Sequence, residues 1–483
     1  MTLAQNFRDI EVAGDFNLVP IINIIPYYPD SGGGQNRPNS LNILPLVSEI
    51  KIYEDLLKPF ISGRMVIGDA TNVFDAIQLS GFERLEFQIM SPNIDNNYDF
   101  TIETGHPQHI YSITDRKELS QNSQAYILHF CSQEAIKNKT NFISETIHTE
   151  HEHMVAKMLN IHMQSKKPLL FDKTKSKNKF VFPYANPLDH IMHIARKTQS
   201  KSFPSAKYLF YENIFGFNFR SLQSLTNNND GSPKSSIHKI VYKPKAPHLR
   251  AGTDESIARE LSVIYDYEIK NQTNTLLRLN SGVFSSELVT HDLLNKKFST
   301  KEYSYAKDFH LNNHLDRGST LPSFPYIGSL NFSELPSVRY FKSNTQDIFE
   351  TPDGKNKINT PQEEEFLQSN NSKMSNMFND FLLNIEVPGY LGVHAGSVVD
   401  VEIPRYAGPK ASGMDSIDIK LTGRYLVQNI EHTISMEGKG THRMSLGLRK
   451  DAFNYQYEGT TLNTFQNSEA DRSGLADVTS LSY

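Results

Sequence analysis

Three histidines and two glutamates crowd the stretch "HTEHEH": His148, His151 and His153 with Glu150 and Glu152. A zinc-protease helix needs two histidines four apart, with a glutamate after the first, so that both imidazoles meet one metal. Here the histidines are three and two apart and fan around a helix. His148 and Glu152 share a face, no third ligand joins them, and the stretch reads as a solvated helix face. His190 and His193, three apart beside Asp189, could be ligands or an acid–base pair, but the spacing is also that of a polar flank on an amphipathic helix, which is the preferred reading. "SGGGQNRPNS", residues 31–40, lacks the GxxxxGK[ST] order and leads into no clear helix whose N–H groups could cradle phosphate, so it reads as a flexible loop. "GKGT", residues 438–441, falls in a hairpin. Glu363, Glu364 and Glu365 in "PQEEEF" are adjacent, repel one another and stay hydrated, whereas glycoside hydrolysis needs two carboxyls facing across a cleft. Cys131 has His129 two residues away on the same strand face, but a strand cysteine is far more often a packing residue than a nucleophile. No GxSxG occurs. The expectation is no catalytic, cofactor-binding or metal residue.

The elements that would carry these residues change character along the chain. "SEIKIYEDLLKPFISGRMVIGD" gives two strands around "DLLKPF", a helix-like "NVFDAIQLS" follows, and Leu85, Phe87 and Ile89 alternate with Glu86, Gln88 and Met90. "DFTIETG", "HIYSITDRKEL" and "QAYILHFCSQ" add strands, which suggests a small barrel or sandwich over residues 15–135. An α+β unit over 136–226 follows. Its first helix is read from Ile143, Ile147, Met154, Met158 and Leu159. Its second has Asn186 as N-cap, Pro187 in the first turn and Asp189 at the positive end of the dipole. "KYLFYENIFGFNFRSLQSL" is an aromatic hairpin with "ENIFG" at its turn. Beyond the linker "TNNNDGSPKSS" come a strand, "HKIVYKP", and a helical "DESIARELSVIYDYEI". Residues 267–377 are irregular and strand-rich, ending in a charged loop. Strands then return in "DFLLNIEVPG", "SVVDVEIP", "SIDIKLTGRYLVQNIEHTISM" and "HRMSLGLRKDAF", before a loose tail.

A chain of 483 residues is too long for one core. Its 29 Phe and 22 Tyr mark aromatic cores or interfaces in spite of a mean hydropathy of −0.47. The formal charge of −5 is spread without a basic block, so nothing resembles a footprint for gripping phosphate backbones. A single cysteine points to a reducing compartment. The N-terminus has no cationic region followed by an apolar core, and "FNLVPIINIIPYY" is too short and too proline-rich to span a bilayer.

Two strands share a pattern: "ISGRMVI", Ile61 to Ile67, and "LTGRYLV", Leu421 to Val427. "GFERLEFQI" and "GSVVDVEIP" also match, each an alternating strand that starts at glycine and carries an acid, but their order relative to the Gly-Arg strands is reversed. With "YLFYENIFGFNFRSLQSL", "DYEIKNQTNTLLRLNSGVFSSELVTHDLLNKKF", "VPGYLGVHAGSVVDVEIP" and "GRYLVQNIEHTI" in that order, the chain resembles the baseplate hub subunits of T-even-type contractile-tailed phages, with marine and cyanobacterial phages as close cousins.

That resemblance, over residues 15–450, implies a mainly β protein with two tube-type β-barrel domains, one of them split by an insertion, plus an α+β domain and an irregular β-rich insertion domain. The implied boundaries are an N-terminal arm 1–14, a first barrel 15–135, an α+β domain 136–226, a second barrel 227–266 and 378–453, an insertion 267–377 and a tail 454–483. The implied function is structural. Three copies would form a ring adapting a sixfold tail tube to a threefold central spike, assembled in the host cytoplasm and carried in the virion. Its partners would be itself as a homotrimer, the spike, the tube or tube-initiator protein, the tape measure protein and DNA in transient passage, without membrane insertion and without a cofactor. A tail-associated peptidoglycan hydrolase and a receptor-binding adhesin are the alternatives. On this reading Gly63 and Gly423 should occupy equivalent strand positions in the two barrels.

Overall fold

The structure is a computed structural model that describes residues 17–18, 22–25, 40–77, 79–90, 97–175, 177–202, 207–228, 232, 234–242, 261–271, 274–292, 296–304, 314–316, 319–320, 326–327, 330–331, 335–343, 348–350, 356–358, 377–378, 381–405, 417–418, 420–436 and 440–453. The expected arm, the glycine-rich stretch 31–39, Glu363–Glu365, the turn residues 437–439 and the tail lie outside them, as does most of the charged loop before residue 377.

The chain is mainly β. Its first unit contains β1 (Asn23–Ile25), β2 (Leu41–Asn42), β3 (Val47–Asp55), β4 (Ser62–Asp69), β5 (Arg84–Glu86), β6 (Gln108–Ser120) and β7 (Ser123–Ser132). Alternation makes these strands two-faced. Ile50, Ile52, Met65, Ile67, Leu128 and Phe130 point into a core, while Glu49, Lys51, Arg64 and His129 stand on the opposite face. An α+β unit follows. It has α1 (Gln133–Thr140), β8 (Ile143–Glu150), α2 (His151–Lys157), β9 (Lys177–Ala185), α3 (Pro187–Lys197), β10 (Tyr208–Asn213) and β11 (Gly216–Ser221), around a core of Met154, Met158, Phe182, Ile191, Phe217 and Phe219. The last two strands are the expected hairpin, with Asn213 opposite Gly216.

Two expected helices are corrected. Residues 143–150 are a strand paired with β9, and the helix starts only at His151. Ile143 and Ile147 are four apart, a spacing that fits both periods, and the interleaved threonines favour the pleat. Likewise the later part of "DESIARELSVIYDYEI" forms strands rather than a helix, and residues 254–260 lie outside the described residues.

The second β unit contains β12 (His238–Tyr242), β13 (Val263–Ile264) and β14 (Asp266–Asn271). A three-stranded sheet of β15 (Ser285–Asp292), β16 (Lys297–Ser304) and β17 (Val338–Ser343) intervenes in the chain. The unit then resumes with β18 (Leu382–Pro388), β19 (Val398–Glu402), β20 (Gly423–Ser435) and β21 (Thr441–Arg449), around its own core of Ile385, Val399, Tyr425, Leu446 and Leu448.

The two β units repeat one another strand by strand. The first has the spatial order β3-β4-β7-β6-β5-β1-β2 and the second β14-β18-β21-β20-β19-β12-β13, so the strands match in chain order as well once β15–β17 are set aside. The first five strands of each are antiparallel throughout; the differences are that β12 runs parallel to both β19 and β13, where β1 is antiparallel to both β5 and β2. Even a bulge recurs. The ladder skips a residue between Ile110 and Ser112 opposite Phe130 and His129, and between Val427 and Asn429 opposite Leu448 and Gly447.

This register corrects the expected equivalence of the Gly-Arg strands. Phe130 matches Leu448, and their neighbours across the next ladder are Gly63 and Leu383, so "ISGRMVI" corresponds to β18. "LTGRYLV" opens β20, the counterpart of β6. The strands of the second likeness do correspond, β5 to β19 with Glu86 falling on Asp400, but one residue out of step with their opening glycines, since Arg84, three after Gly81, falls on Val398, two after Gly396.

Candidate assembly site

A strand junction joins the two units. Residues Asn429–Ser435 of β20 pair antiparallel with Asp55–Glu49 of β3, which fuses both sheets into a single sheet of 14 strands. On the face away from the cores, the Lys51 ammonium lies 2.5 Å from the Glu431 carboxylate across the junction. Around it, Arg64 lies 3.7 Å from Glu49, and Arg443 lies 3.1 Å from Glu386. Positive and negative side chains therefore interleave on this wall. The strands singled out for their acids are also matched to cations: Glu86 to Arg84 at 2.6 Å, Glu402 to Lys239 at 2.9 Å and Asp400 to Arg424 at 3.8 Å.

On the core side the junction is sealed by Ile434, which belongs to the first unit's core, and by a buried polar row. Glu54 takes the inward position after Ile50 and Ile52. It accepts hydrogen bonds from the backbone N–H of Ile214 in the α+β unit (2.8 Å) and of Ala395 in the second β unit (2.9 Å). Its Oε1 lies 2.6 Å from the Tyr98 hydroxyl, which is 3.1 Å from His432 Nε2, and His432 Nδ1 is 3.0 Å from His442 Nε2. Burial drives the Glu54 carboxyl up to about 7 and holds His432 well below, and His442 at about 4, against the ordinary histidine value.

A second cluster ties the α+β unit to the first. Lys167, with no exposed side-chain surface, lies 2.6 Å from Glu212 and 2.8 Å from Glu134. Glu212 also accepts from Ser132 Oγ (2.7 Å) and the Ile61 N–H (2.9 Å). Burial raises the Glu212 carboxyl beyond what the Lys167 ammonium offsets. At Glu134 burial also pushes upward, but Lys167 and the Ser165 hydroxyl outweigh it. These groups lock units together.

The residues singled out from sequence are placed elsewhere. His148 is on β8, while His151 and Glu152 are buried on α2 rather than on a solvated face. His151 Nδ1 lies 2.8 Å from Thr198 Oγ1, and Glu152 accepts from the Thr174 hydroxyl. His190 is buried against Phe182 and serves packing rather than a polar flank, whereas His193 stays exposed on the flank, with its ring edge-on to Phe180. Among the described residues no group of three His, Cys, Asp or Glu side chains could hold a metal ion. Burial drives the Cys131 thiol up to about 11, and His129 Nε2 lies 2.9 Å from the Thr114 hydroxyl, within hydrogen-bonding reach. Glu54, Tyr98, His432 and His442 were not anticipated. Glu54 and His432 had a legible signal, since each breaks an alternating apolar face, after Ile50 and Ile52 and between Ile430 and Ile434.

Comparison with known proteins yields three likenesses. The chain is 22% identical over 402 residues to a probable baseplate hub protein of the Vibrio phage KVP40, covering 80% of this chain and 86% of that protein. Its fold is similar to that of a tail protein from Neisseria meningitidis MC58, with a TM-score of 0.50 and 12% identity over 89% of this chain and 96% of that one. A 43 kDa tail protein of prophage MuSo2 from Shewanella oneidensis aligns over 89% of this chain and 97% of that one, with a TM-score of 0.47 and 8% identity. No family model matches the sequence.

Proposed function

We propose that this chain is a baseplate hub protein of a contractile phage tail, a structural component of the virion rather than an enzyme. The observation that carries the reading is the strand-by-strand repeat. A chain with two similar β units can present six related surfaces from three copies, which reconciles a sixfold tube with a threefold spike. The hub relative in a Vibrio phage supports the same assignment.

The organisation proposed is a first tube-type barrel over 15–135 and a second over 227–266 and 378–453, with the α+β domain 136–226, the insertion 267–377, the arm 1–14 and the tail 454–483 as additions. The ring would form in the host cytoplasm, with the central spike, the tail tube or its initiator and the tape measure protein as further partners. It would enclose a channel for the genome. A wall of interleaved signs such as Lys51–Glu431 and Arg443–Glu386 offers few unmatched cations to phosphate, so duplex DNA would slide rather than be held.

Native mass spectrometry of the purified chain at micromolar concentration tests the assembly, and a trimer is the expected species. Monomer alone would count against the ring, tight salt-sensitive binding in a low-salt gel shift against the sliding channel, and turnover of peptidoglycan against the non-enzymatic role.

A further inference from the structure

The junction inside the chain uses one edge of β20 and one edge of β3, and the repeat matches these strands to β6 and β14. Those counterparts are left open. β5 pairs with β6 only at Gln108 and His109, so among the described residues no strand covers that edge over Ser112–Ser120. β14 is paired along one edge, by β18, and among the described residues no strand lies on the other. An unpaired strand edge is a row of unsatisfied N–H and C=O groups, a ready template for another strand.

We propose that these two edges are the halves of the same junction made between chains: β14 of one copy adds antiparallel to residues 112–120 of the next. The inference rests on the ring reading above and supplies its edges, direction and register. The repeat sets the register through partners across the ladder, because β6 carries two further irregularities, opposite Ala125–Ile127 and Ser123–Gln124, that β20 lacks. Lys117 lies opposite Ala125, five residues before Phe130, and Thr433 lies opposite Arg443, five residues before Leu448. Lys117 therefore stands where Thr433 stands, opposite Lys51 within the chain. Ile269 is opposite Leu383 as Ile52 is opposite Gly63, so Glu268 stands where Lys51 does. Between copies, Lys117 then faces Glu268.

The signs agree with this placement. Within the chain the cation is on β3 and the acid, Glu431, on β20. Between chains the acid is on β14 and the cation on β6. The exchange also discriminates against a wrong partner, since β14 laid on β20 would bring Glu268 beside Glu431. Asp266, Glu268 and Lys270 are all exposed on the open strand, which guards a free edge against indiscriminate pairing. Two different edges meet, so each copy uses one of each and the contact is head-to-tail, the kind that closes a ring when its rotation per copy does.

The test uses the full chain with Cys131→Ser, carrying Lys117→Cys and Glu268→Cys together. Oxidation should give disulfide-linked species that end at the copy number of the native assembly, and neither single cysteine should cross-link. Independently, Lys117→Glu or Glu268→Lys alone should weaken assembly about tenfold or more, and the two reversals together should restore it. Circular dichroism separates loss of folding from loss of assembly. An intact assembly without cross-links, and indifferent to both reversals, overturns this interface while leaving the ring reading standing. A chain that stays monomeric in all forms overturns both.

Discussion

A methyl group added to Gly63 would lie 2.2 Å from Phe130 Cζ and 2.5 Å from the Lys51 carbonyl oxygen, so the ring of Phe130 occupies the space of the missing side chain. In the second unit the matched pair is Leu383 and Leu448, two medium residues in place of one absent and one large. Gly423 is glycine for another reason: its φ of +135° is a conformation that residues with a Cβ rarely adopt. Gly63→Ala is therefore expected to destabilise by about 1–3 kcal/mol through overpacking. Gly423→Ala should cost a similar amount, about 1–3 kcal/mol, through backbone strain. Urea denaturation of the double mutants separates the two causes. Phe130→Leu should offset part of the Gly63→Ala loss, with a coupling of about 1 kcal/mol, and should be additive with Gly423→Ala. Additivity in both cycles would remove the packing account of Gly63.

Helix α3 begins with a borrowed cap. Asn186 has the extended backbone of an N-cap, but its side chain donates to the Asn138 and Asn141 carbonyls at 2.7 and 2.9 Å. The acceptor for the first turn is instead Asn138 Oδ1 on α1, 2.8 Å from the Leu188 N–H. Asn138→Ala should then cost what losing a cap costs, about 1 kcal/mol, although the residue is remote from α3 in sequence; thermal melts that leave the variant unchanged would refute the assignment. The case shows where legibility ended. Pro187, Asp189 and the apolar spacing located the helix, yet the partner of its end came from another element. Clean alternation made β3, β4 and β21 readable, while Ile143 and Ile147 satisfied two periods at once. The likeness of "ISGRMVI" to "LTGRYLV" points to the repeat of the two units, yet the two stretches are not counterparts. Its real content is an order of pairing partners, and pairing is written across the sheet rather than along the chain. Glu86 and Asp400 are the legible part of it, each an acid on an alternating strand that opens just after a glycine.

At the scale of the molecule, the three units meet on one carboxyl group. Glu54 belongs to the first β unit with Tyr98 and is bonded to Ile214 of the α+β unit and Ala395 of the second β unit. When Glu54 carries a proton, every donor in the buried row can point one way: Glu54 to Tyr98, Tyr98 to His432, and His432 to His442. All four groups are then neutral, which suits a site this far from water. Burial accordingly sets the Glu54 carboxyl at about 7 in the folded protein, against 4.5 for an ordinary glutamate. A folded-state value above the unfolded one gives stability that is fully present below pH 4.5 and is lost as pH rises through 7. Glu54→Gln keeps the neutral shape and abolishes the titration. It has one carbonyl oxygen for two backbone N–H groups, so at low pH it should be less stable than the parent by about 1–3 kcal/mol. The parent alone then loses stability as pH rises, by roughly 3 kcal/mol between pH 4.5 and 7.5. The gap should therefore close or reverse over that range, and because both proteins share every other titrating group, the difference isolates this one. Urea titrations of the two proteins at intervals of pH measure it directly. A gap that stays flat, or that widens as pH rises, would mean that Glu54 is ionised where it lies and that the units are held by a buried charge rather than by a neutral chain of hydrogen bonds.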